Sequence, residues 1–343
     1  MYKYDTNFTN IKEATRNFLD YSNVKIEEIG DGNLNFVFKV YDDKDCFALK
    51  HAKPYLKMLG KDFKLTTNRI LAEMNSLEYF YTLCPSYVPK IHHKNEDEKL
   101  FVMDYLEDYV PLREKHEDIN SYKQLGEFVF ELAKNKPVKE LYYECEELKE
   151  ITKNYVFEYP FIENHDALTI LDYFPQKKFS NKFLKNLEYL KDVFLNSNES
   201  LIHGDLHTDS IMIKDKNIAI IDSEFSLFSE ISFDIGNILA HTIFSSISLK
   251  NINYKKKILS LFQTLERLDN FEYILKNSIG FCAIEMARRL YVPAKSKDLE
   301  NIQDMDEKIK AYELSFEISD YLGANINEFD SAKSFIKKLE KWL

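Results

Sequence analysis

Two short acidic motifs carry the chemistry that this sequence can perform. The first is HGD at residues 203–205, with Ser210 five residues after Asp205. The second is DSE at residues 222–224, which follows a run of apolar residues. Such an arrangement is typical of phosphoryl transfer, in which one carboxylate orients the attacking hydroxyl and others hold Mg²⁺ against the nucleotide phosphates. The pattern therefore predicts a kinase with a small molecule as its acceptor.

Each residue of these motifs has a chemical role and a simpler alternative. Asp205 would accept or orient the proton of the acceptor hydroxyl, although Gly-Asp pairs also occur in ordinary turns. Asp222 and Glu224 are two residues apart, which would place both carboxylates on one side of an extended segment and within reach of Mg²⁺. Ser210 stands where many kinases have a metal-binding Asn, but a hydroxyl is a weaker ligand. We expect Asp234, at the start of the next helix, to cap that helix or to tie it to the catalytic loop.

Strands upstream of these motifs would position a nucleotide. Alternating apolar residues predict a meander of strands at residues 24–29, 36–41 and 46–50. The turn after the first strand is rich in glycine and comprises Gly30, Asp31, Gly32 and Asn33. Glycine lets backbone N–H groups approach phosphate oxygens closely, so this turn would cover the phosphates, although any hairpin could use it.

Lys50 ends the third predicted strand, where it would contact the α- and β-phosphates of ATP. A helix predicted at residues 66–83 would supply an acid to position this lysine. We expect Glu73 in that role, with Glu78 as the alternative. After two further strands, an extended linker would offer backbone groups to the adenine edge, and it comprises Asp104, Tyr105 and Leu106.

The remainder of the chain is mainly helical. Apolar periodicity predicts helices at residues 122–134, 139–152, 181–196, 233–246, 255–267, 273–291, 306–322 and 330–342. These elements indicate an α+β protein with the bilobal protein-kinase-like fold. A small β-rich N-lobe would occupy residues 1–105 and bind the nucleotide. A large, mainly helical C-lobe at residues 106–343 would hold the catalytic loop, the metal site and the acceptor.

Composition narrows the class of partner. The chain has 343 residues and a net charge of -11, which argues against a nucleic acid or an anionic membrane. Four scattered cysteines without a CxxC pair favour reduced core thiols over a metal site or disulfides. The N-terminus lacks a signal-peptide core, and no run approaches the roughly 18 apolar residues of a membrane span. We therefore expect a soluble, cytoplasmic protein.

An arginine pair interrupts an otherwise apolar helical stretch near the C-terminus. Arg288 and Arg289 would point about 100° apart on a helix, so at most one of them is expected to face a cleft. The simpler interpretation is an ion pair with Glu285 at helical spacing and one solvated arginine. The sequence by itself leaves the two interpretations open.

Together these segments resemble the S-methyl-5-thioribose kinases, within the aminoglycoside phosphotransferase and choline kinase-like branch of the kinase fold. The resemblance covers most of the chain: IGDGNLNFVFKV resembles the nucleotide loop, HGDLHTDSI the catalytic loop and DSEF the metal-binding segment. GFCAIEMARRLYVPAKSKDLENI is similar to the substrate-side helix, which carries an arginine pair. This helix is the discriminating match, because other small-molecule kinases share HGD without it.

The resemblance implies phosphorylation of the anomeric hydroxyl of S-methyl-5-thioribose by ATP, in methionine salvage, by a homodimeric enzyme. It implies methylthioribose contacts at Asp205 and at one or both of Arg288 and Arg289. The ATP contacts that it implies are at Asn33, Lys50, Asp104, Tyr105, Leu106, Asp222, Ser223 and Glu224.

Two residues depart from the family pattern. Asp209 occupies a position where the family usually has Gly, and its added negative charge would weaken ATP binding or move the metal. Ser223 replaces a usual Pro, which would loosen the acidic segment because its φ is no longer fixed by a ring. Two rival functions also stay open: a kinase of another small alcohol, such as choline, homoserine or an aminoglycoside, and a pseudokinase that binds a nucleotide or a partner protein.

Overall fold

The structure is a computed structural model that describes residues 8–29, 34–56, 60–250 and 253–343. Its N-terminal part contains α1 (Thr9–Thr15), β1 (Lys25–Ile29), β2 (Phe36–Tyr41), β3 (Cys46–His51), β4 (Tyr55–Leu56), β5 (Gly60–Lys64), α2 (Arg69–Leu83), β6 (Ile91–Asn95) and β7 (Leu100–Asp104). The following part contains β8 (Val110–Pro111), α3 (Asn120–Lys134), α4 (Glu146–Thr152), α5 (Asn181–Asn196), β9 (Ser200–Ile202), β10 (Ile211–Lys214), β11 (Asn217–Ile220), β12 (Leu227–Ser229), α6 (Ser232–Leu249), α7 (Tyr254–Leu265), α8 (Phe271–Tyr291), α9 (Lys297–Glu300), α10 (Met305–Ala324) and α11 (Ala332–Leu339). A π-helical turn at Lys153–Glu158 extends α4.

The N-terminal part is an antiparallel sheet with strand order β1-β2-β3-β7-β6. The first three strands form the predicted meander. Phe36, Phe38 and Val40 alternate along β2 and pack in a core with residues of α1. Ala48 faces the other side of the sheet, where α2 packs. Lys50 shares that side because side chains of a strand repeat every two residues, so the lysine lies beneath α2.

The two acidic motifs lie beside each other because of how short strands pair in the second part. The catalytic loop follows β9, and the acidic segment lies between β11 and β12. The antiparallel pairing of β9 with β12 brings Ile202 opposite Leu227. α6 begins directly after β12, is buried along most of its length and packs against α8, which carries the arginine pair. The loop, the segment and both helices therefore meet in one region.

The predicted bilobal α+β fold is confirmed, with corrections to single elements. The helix expected at residues 139–152 begins only at Glu146. Lys139–Leu141 forms a separate 3₁₀ turn. Between this turn and α4, the N–H of Tyr143 donates to the Asn75 side chain and the Glu144 carboxylate accepts from the N–H of Phe228, so tertiary hydrogen bonds interrupt the predicted helix. The sheet ends at Asp104, near the proposed lobe boundary, which stays a prediction. In the described ranges, no helix combines the length and apolar character needed to cross a membrane.

Candidate active site

The catalytic loop begins with a backbone turn that requires glycine. Gly204 has a φ of 83°, and a Cβ at this position would lie 2.1 Å from the carbonyl oxygen of Phe225. The carboxylate of Asp234, in the first turn of α6, accepts hydrogen bonds from the backbone N–H groups of His203 (2.7 Å) and Gly204 (2.9 Å). Asp234 therefore ties α6 to the loop, one of its two expected roles. It does not cap the helix, because Ile231 is the N-cap residue.

Two histidines shape the loop through the same backbone contact. The N–H of Asp205 donates to Nδ1 of His203 (3.3 Å), and the N–H of Asp209 donates to Nδ1 of His207 (3.1 Å). Because Nδ1 accepts in both rings, the hydrogen-bond network assigns the proton of the neutral ring to Nε2. Nε2 of His203 donates to the carbonyl of Ile221 (2.8 Å), and Nε2 of His207 lies 3.4 Å from Asp205 Oδ2. The first histidine thus joins the two motifs, and the second faces the predicted base.

Both arginines of α8 reach Asp205. Nη2 of Arg288 lies 3.0 Å and Nη2 of Arg289 lies 3.4 Å from Asp205 Oδ1. The expectation that at most one arginine would face the cleft is wrong, because Glu285 accepts from Nε of both and gathers them. Burial tends to raise the pKa of Asp205, but His207 and the two arginines outweigh it and hold the pKa well below its ordinary value. The carboxylate is therefore ionised and oriented.

Lys50 joins the sheet to α2 and to the acidic segment. Its Nζ donates to Glu73 Oε1 (2.7 Å) and to Asp222 Oδ1 (2.6 Å). The acid expected on α2 is therefore Glu73, whereas the alternative, Glu78, pairs with Lys94 (2.8 Å). Burial alone would lower the pKa of Lys50, but the carboxylates of Asp222 and Glu73 outweigh it and raise the pKa above its ordinary value. The lysine is thus held as a cation.

The acidic segment does not continue the strand before it. β11 ends at Ile220, and Asp222 has a φ of 65°, a left-handed conformation that is uncommon outside glycine and often marks functional sites. The Asp222 side chain is 48% exposed, whereas Glu224 is buried and accepts from Nδ2 of Asn35 (2.7 Å). The expectation that both carboxylates stand on one side of an extended segment is therefore wrong. Their roles toward a metal differ accordingly.

Glu224 belongs to a buried network with Asn35 and Arg69. Nε of Arg69 donates to Asn35 Oδ1 (2.9 Å) and lies 3.6 Å from Glu224 Oε2. Nη2 of Arg69 donates to the carbonyls of Leu34 and Lys53, both at 3.0 Å. This buried arginine therefore fixes the chain after the glycine-rich turn, the start of α2 and the acidic segment relative to one another. The turn itself lies outside the described residues, and the nucleotide contacts expected there stay predictions for Gly30, Asp31, Gly32 and Asn33.

One face of α2 is hydrogen-bonded to the acidic segment. The hydroxyls of Ser76 and Ser223 are 2.7 Å apart, and both residues are buried. The hydroxyl of Ser226 donates to the carbonyl of Ala72 (3.1 Å), one turn earlier on the same helix face. The Ser223 hydroxyl thus links the segment to α2, a contact that opposes the loosening expected from Ser in place of Pro.

Asp209, the second departure from the family pattern, is neutralised within the protein. Its Oδ1 accepts from Nε of Arg113 (2.7 Å), and its Oδ2 lies 2.9 Å from Nζ of Lys297. Burial would raise the pKa of this carboxyl, but His207, Lys297 and Arg113 lower it to about 2. Two cations thus compensate the added charge, which argues against the expected effect on ATP or on the metal.

Ser210 closes the catalytic loop on itself. Its hydroxyl accepts from the N–H of His207 (2.9 Å) and lies 3.1 Å from the carbonyl oxygen of Asp205. These contacts engage the hydroxyl, so its predicted role as a metal ligand gains no support. In the linker, the Asp104 carboxylate accepts from the N–H of Lys90 (2.8 Å). The contacts expected between this linker and adenine stay predictions.

Sequence reasoning missed two residues of the site. His207 carried a usable signal, because its spacing to Asp209 repeats that of His203 to Asp205, and both pairs form the same hydrogen bond. Arg69 carried none, because an arginine in the first turn of a helix is most often solvated. Its burial follows from tertiary contacts with carbonyl groups far away in the sequence.

The lysine–glutamate pair, the acidic segment and the HGD loop, set in this bilobal fold, define an ATP-dependent small-molecule kinase. Residues 25–251 match the phosphotransferase enzyme family. Methylthioribose kinase of Bacillus velezensis is 30% identical in an alignment of 355 positions, which covers 91% of this chain and 89% of that protein. Methylthioribose kinase of a Geobacillus species is 31% identical over 328 residues, 83% of this chain and 82% of that protein. The chain belongs to the phosphotransferase enzyme family and, within it, to the methylthioribose kinases.

A solved structure supports the fold. The ethanolamine kinase of Plasmodium vivax superposes with a TM-score of 0.55 at 14% sequence identity, covering 91% of this chain and 87% of that one. At this identity the likeness speaks for the fold alone. The family membership, in turn, indicates a small-molecule acceptor for this chain.

Proposed function

We propose that this protein transfers the γ-phosphoryl group of ATP to the anomeric hydroxyl of S-methyl-5-thioribose, forming the 1-phosphate for methionine salvage. The observation that carries the proposal is that Arg288 and Arg289 meet at one oxygen of Asp205. Forked guanidinium donors suit sugar hydroxyls and a transferring phosphoryl group, whereas a cationic acceptor such as choline would need an acidic or aromatic pocket. The methylthioribose kinase relatives support the same substrate.

Asp205 would receive the acceptor hydroxyl. An ionised carboxylate offers about four lone-pair positions, and three donors approach this one, from the two arginines and His207. One position is left for the sugar hydroxyl. Because its low pKa makes Asp205 a weak base, it would orient the hydroxyl first and accept the proton only as the new O–P bond forms. This order suits the loose transition state of phosphoryl transfer.

The nucleotide side suits Mg²⁺ together with ATP. Its carboxylates, those of Glu73, Asp222 and Glu224, outnumber its two cations, Lys50 and Arg69. Mg²⁺ in such sites takes one or two carboxylates and completes its shell with phosphate and water oxygens. Asp222 is by far the most exposed of the three acids and would hold the metal. A Mg²⁺ ion held there would supply positive charge to offset the negative charge of the transferring phosphoryl group.

The proposal also assigns roles to the remaining residues of the site. Glu224 would influence the metal from outside its coordination shell, with Asp222 as the direct ligand, because Asn35 and Arg69 engage the Glu224 carboxylate. Ser210 would act only by shaping the loop. A homodimer and a cytoplasmic location are proposed on the family resemblance. So are the remaining ATP contacts, which involve Gly30, Asp31, Gly32, Asn33, Asp104, Tyr105, Leu106 and Ser223.

Steady-state kinetics with the purified protein, ATP and Mg²⁺ test the proposal. We would measure kcat/KM for S-methyl-5-thioribose, ribose, choline, ethanolamine, homoserine and an aminoglycoside. Methylthioribose is expected to exceed ribose by at least about 10-fold, as an apolar substituent in a fitting pocket allows. A preference for an amino alcohol would instead indicate a kinase of another alcohol, and no turnover with any acceptor would favour a pseudokinase.

A further inference from the structure

Glu285 lies among the charged residues around Asp205, yet it is hidden from the cleft. Its side chain is 1% exposed, and it precedes the arginine pair by one turn of α8. On a helix, residue 285 stands about 60° from Arg288 on one side and about 40° from Arg289 on the other. It therefore lies between the two arginines. Its carboxylate accepts from Nε of Arg288 and, at 2.7 Å, from Nε of Arg289.

Each arginine uses its two ends in the same way. Nε donates to Glu285, and Nη2 lies within 3.0 Å (Arg288) or 3.4 Å (Arg289) of Asp205 Oδ1. Without an acid between them, the two side chains would diverge by about 100° and repel each other. The two carboxylates and two guanidinium groups instead form a charge-balanced quartet with directed hydrogen bonds.

The two arginines differ in how many of their guanidinium nitrogens are free to donate a hydrogen bond to a ligand. Nη1 of Arg289 donates to the carbonyl of Ala294 (3.2 Å), so all three of its nitrogens are engaged. Arg288 makes its bonds through Nε and Nη2, and its Nη1 has no partner within the part of the chain that the structure describes. Nη1 of Arg288 is therefore the donor that a ligand can use.

Glu285 is also backed by two stacked histidines that lead back to Asp205. Nε2 of His241 lies 3.5 Å from Glu285 Oε1, and the His241 ring stacks on His207 at 4.9 Å. His207 in turn lies 3.4 Å from Asp205 Oδ2. Burial would raise the pKa of Glu285, but the two arginines outweigh it and hold the pKa well below its ordinary value. Such a buried carboxylate is fixed in place by its partners and fixes them in turn.

We propose that Glu285 is a positioning residue for the acceptor side. It gathers both arginines onto Asp205, so that Arg289 fixes the carboxylate while Arg288 keeps Nη1 for the acceptor or for the transferring phosphoryl group. The inference rests on the proposed function of Asp205 and the arginine pair. A helix salt bridge with no such role would stabilise α8 without affecting turnover of the folded enzyme.

Glu285→Gln tests this role, because it keeps the shape of the side chain and removes its charge. We expect kcat with methylthioribose to fall by about 10²-fold, as for a misplaced reacting group, with KM for ATP within about twofold of native. Glu285→Asp, which keeps the charge, should recover part of this loss. The matched control is Glu230→Gln. Glu230 is a buried glutamate two residues before α6 that forms no ion pair within the described ranges, and the variant should keep native kcat. The proposal would be overturned if Glu285→Gln kept the native kcat, or if KM for ATP rose by the same factor as kcat fell.

Crystal structures of the native protein and of Glu285→Gln give a readout that does not depend on the acceptor. We expect at least one arginine to leave Asp205 in the variant, while α8 stays folded. Both Nη2 atoms remaining within hydrogen-bond distance of Asp205 would refute the positioning role. If the native enzyme phosphorylates no acceptor of the panel, the proposed function fails, and this comparison still decides the role of Glu285.

Discussion

The nucleotide side and the acceptor side of the site balance their charges differently. On the nucleotide side, three acids, Glu73, Asp222 and Glu224, surround Lys50 and Arg69, and burial raises the pKa of Glu73 to about 8 and raises that of Glu224 as well. On the acceptor side, two carboxylates face the two arginines, and the charges cancel. The exposed carboxylate of Asp222 favours a divalent cation, whereas carboxylates that are paired with arginines offer donors without attracting a metal. The charged side chains of two neighbouring loops thus favour the metal on the nucleotide side and the sugar on the acceptor side.

The two sides also differ in how they are assembled. The nucleotide side spans both lobes, because Lys50 lies on β3 and Asp222 in the acidic segment. The acceptor side lies within the C-lobe, where α8 meets the catalytic loop. Changes on one side should therefore leave binding on the other side largely intact, and the variants of Asp205, Lys50 and Ser223 described below test that separation.

Asp205→Asn should have the largest effect. It removes the negative charge that would accept the proton of the acceptor hydroxyl, so kcat should fall by about 10³-fold, within the range for a general base. The dissociation constant for ATP should stay within about twofold of native, because the nucleotide side is intact. Coupled-assay kinetics and ATP titration measure the two quantities, with Asp192→Asn on the exposed face of α5 as control. A near-native rate would show that Asp205 has been misassigned.

Lys50→Met should act on the other side. It removes the cation and leaves Glu73 and Asp222 facing each other without compensation, so ATP affinity should fall by about 10²-fold. Acceptor binding should change little. Lys94→Met removes a lysine whose partner, Glu78, lies outside the site, and it should bind ATP normally. If Lys50→Met bound ATP with unchanged affinity, Lys50 would not belong to the nucleotide side, and the distinction between the two sides would be wrong.

Lys257 shows what happens to a buried lysine outside the site. Like Lys50 it is 2% exposed, but no carboxylate of the described chain lies within ion-pair distance, and its ammonium lies 5.1 Å from the Tyr122 ring. Burial lowers the pKa of Lys257 to about 8. The unfolded chain thus binds the proton more tightly, so this lysine destabilises the fold below that pH, and stability recovers as pH rises from about 8 to about 10.5.

Lys257→Met should therefore stabilise the protein at pH 7 by about 2 kcal/mol, and it should remove the increase in unfolding free energy between about pH 8 and about pH 10.5. Urea unfolding at pH 7 and pH 10 measures both effects. Lys256→Met, at an exposed neighbouring position, should leave the unfolding free energy unchanged. A destabilised Lys257→Met variant would mean that the lysine has a compensating partner after all.

Ser223→Ala should have the smallest effect. Loss of its hydrogen bond to Ser76 should weaken the attachment of the acidic segment to α2 by about 1 kcal/mol. KM for ATP should therefore rise about threefold to fivefold, while KM for the acceptor stays constant. Ser223→Pro restores a fixed φ and should lie closer to native. Equal changes in both KM values would indicate that α2 and the acidic segment also control the acceptor side.

The identities of the reacting groups could be predicted from the sequence better than their orientations. Strand and helix periodicity were sufficient to pair Lys50 with an acid on α2. They could not reveal the left-handed turn at Asp222, because local preference disfavours it and tertiary contacts impose it. Helical spacing indicated an ion pair with Glu285, but it could not show that Arg288 and Arg289 converge, because Asp205, which both of them reach, is distant in the sequence. What the sequence misses are long-range buried hydrogen bonds.

The most direct test of the proposed function is ³¹P NMR of the reaction product. Purified protein, ATP and Mg²⁺ would be incubated with S-methyl-5-thioribose or with its derivative blocked by a methyl group at the anomeric oxygen. We expect a new phosphate ester coupled to the anomeric proton with the free sugar, and no product with the blocked one. Phosphorylation at another hydroxyl, equal turnover of the blocked sugar, or no product from either would contradict the proposal.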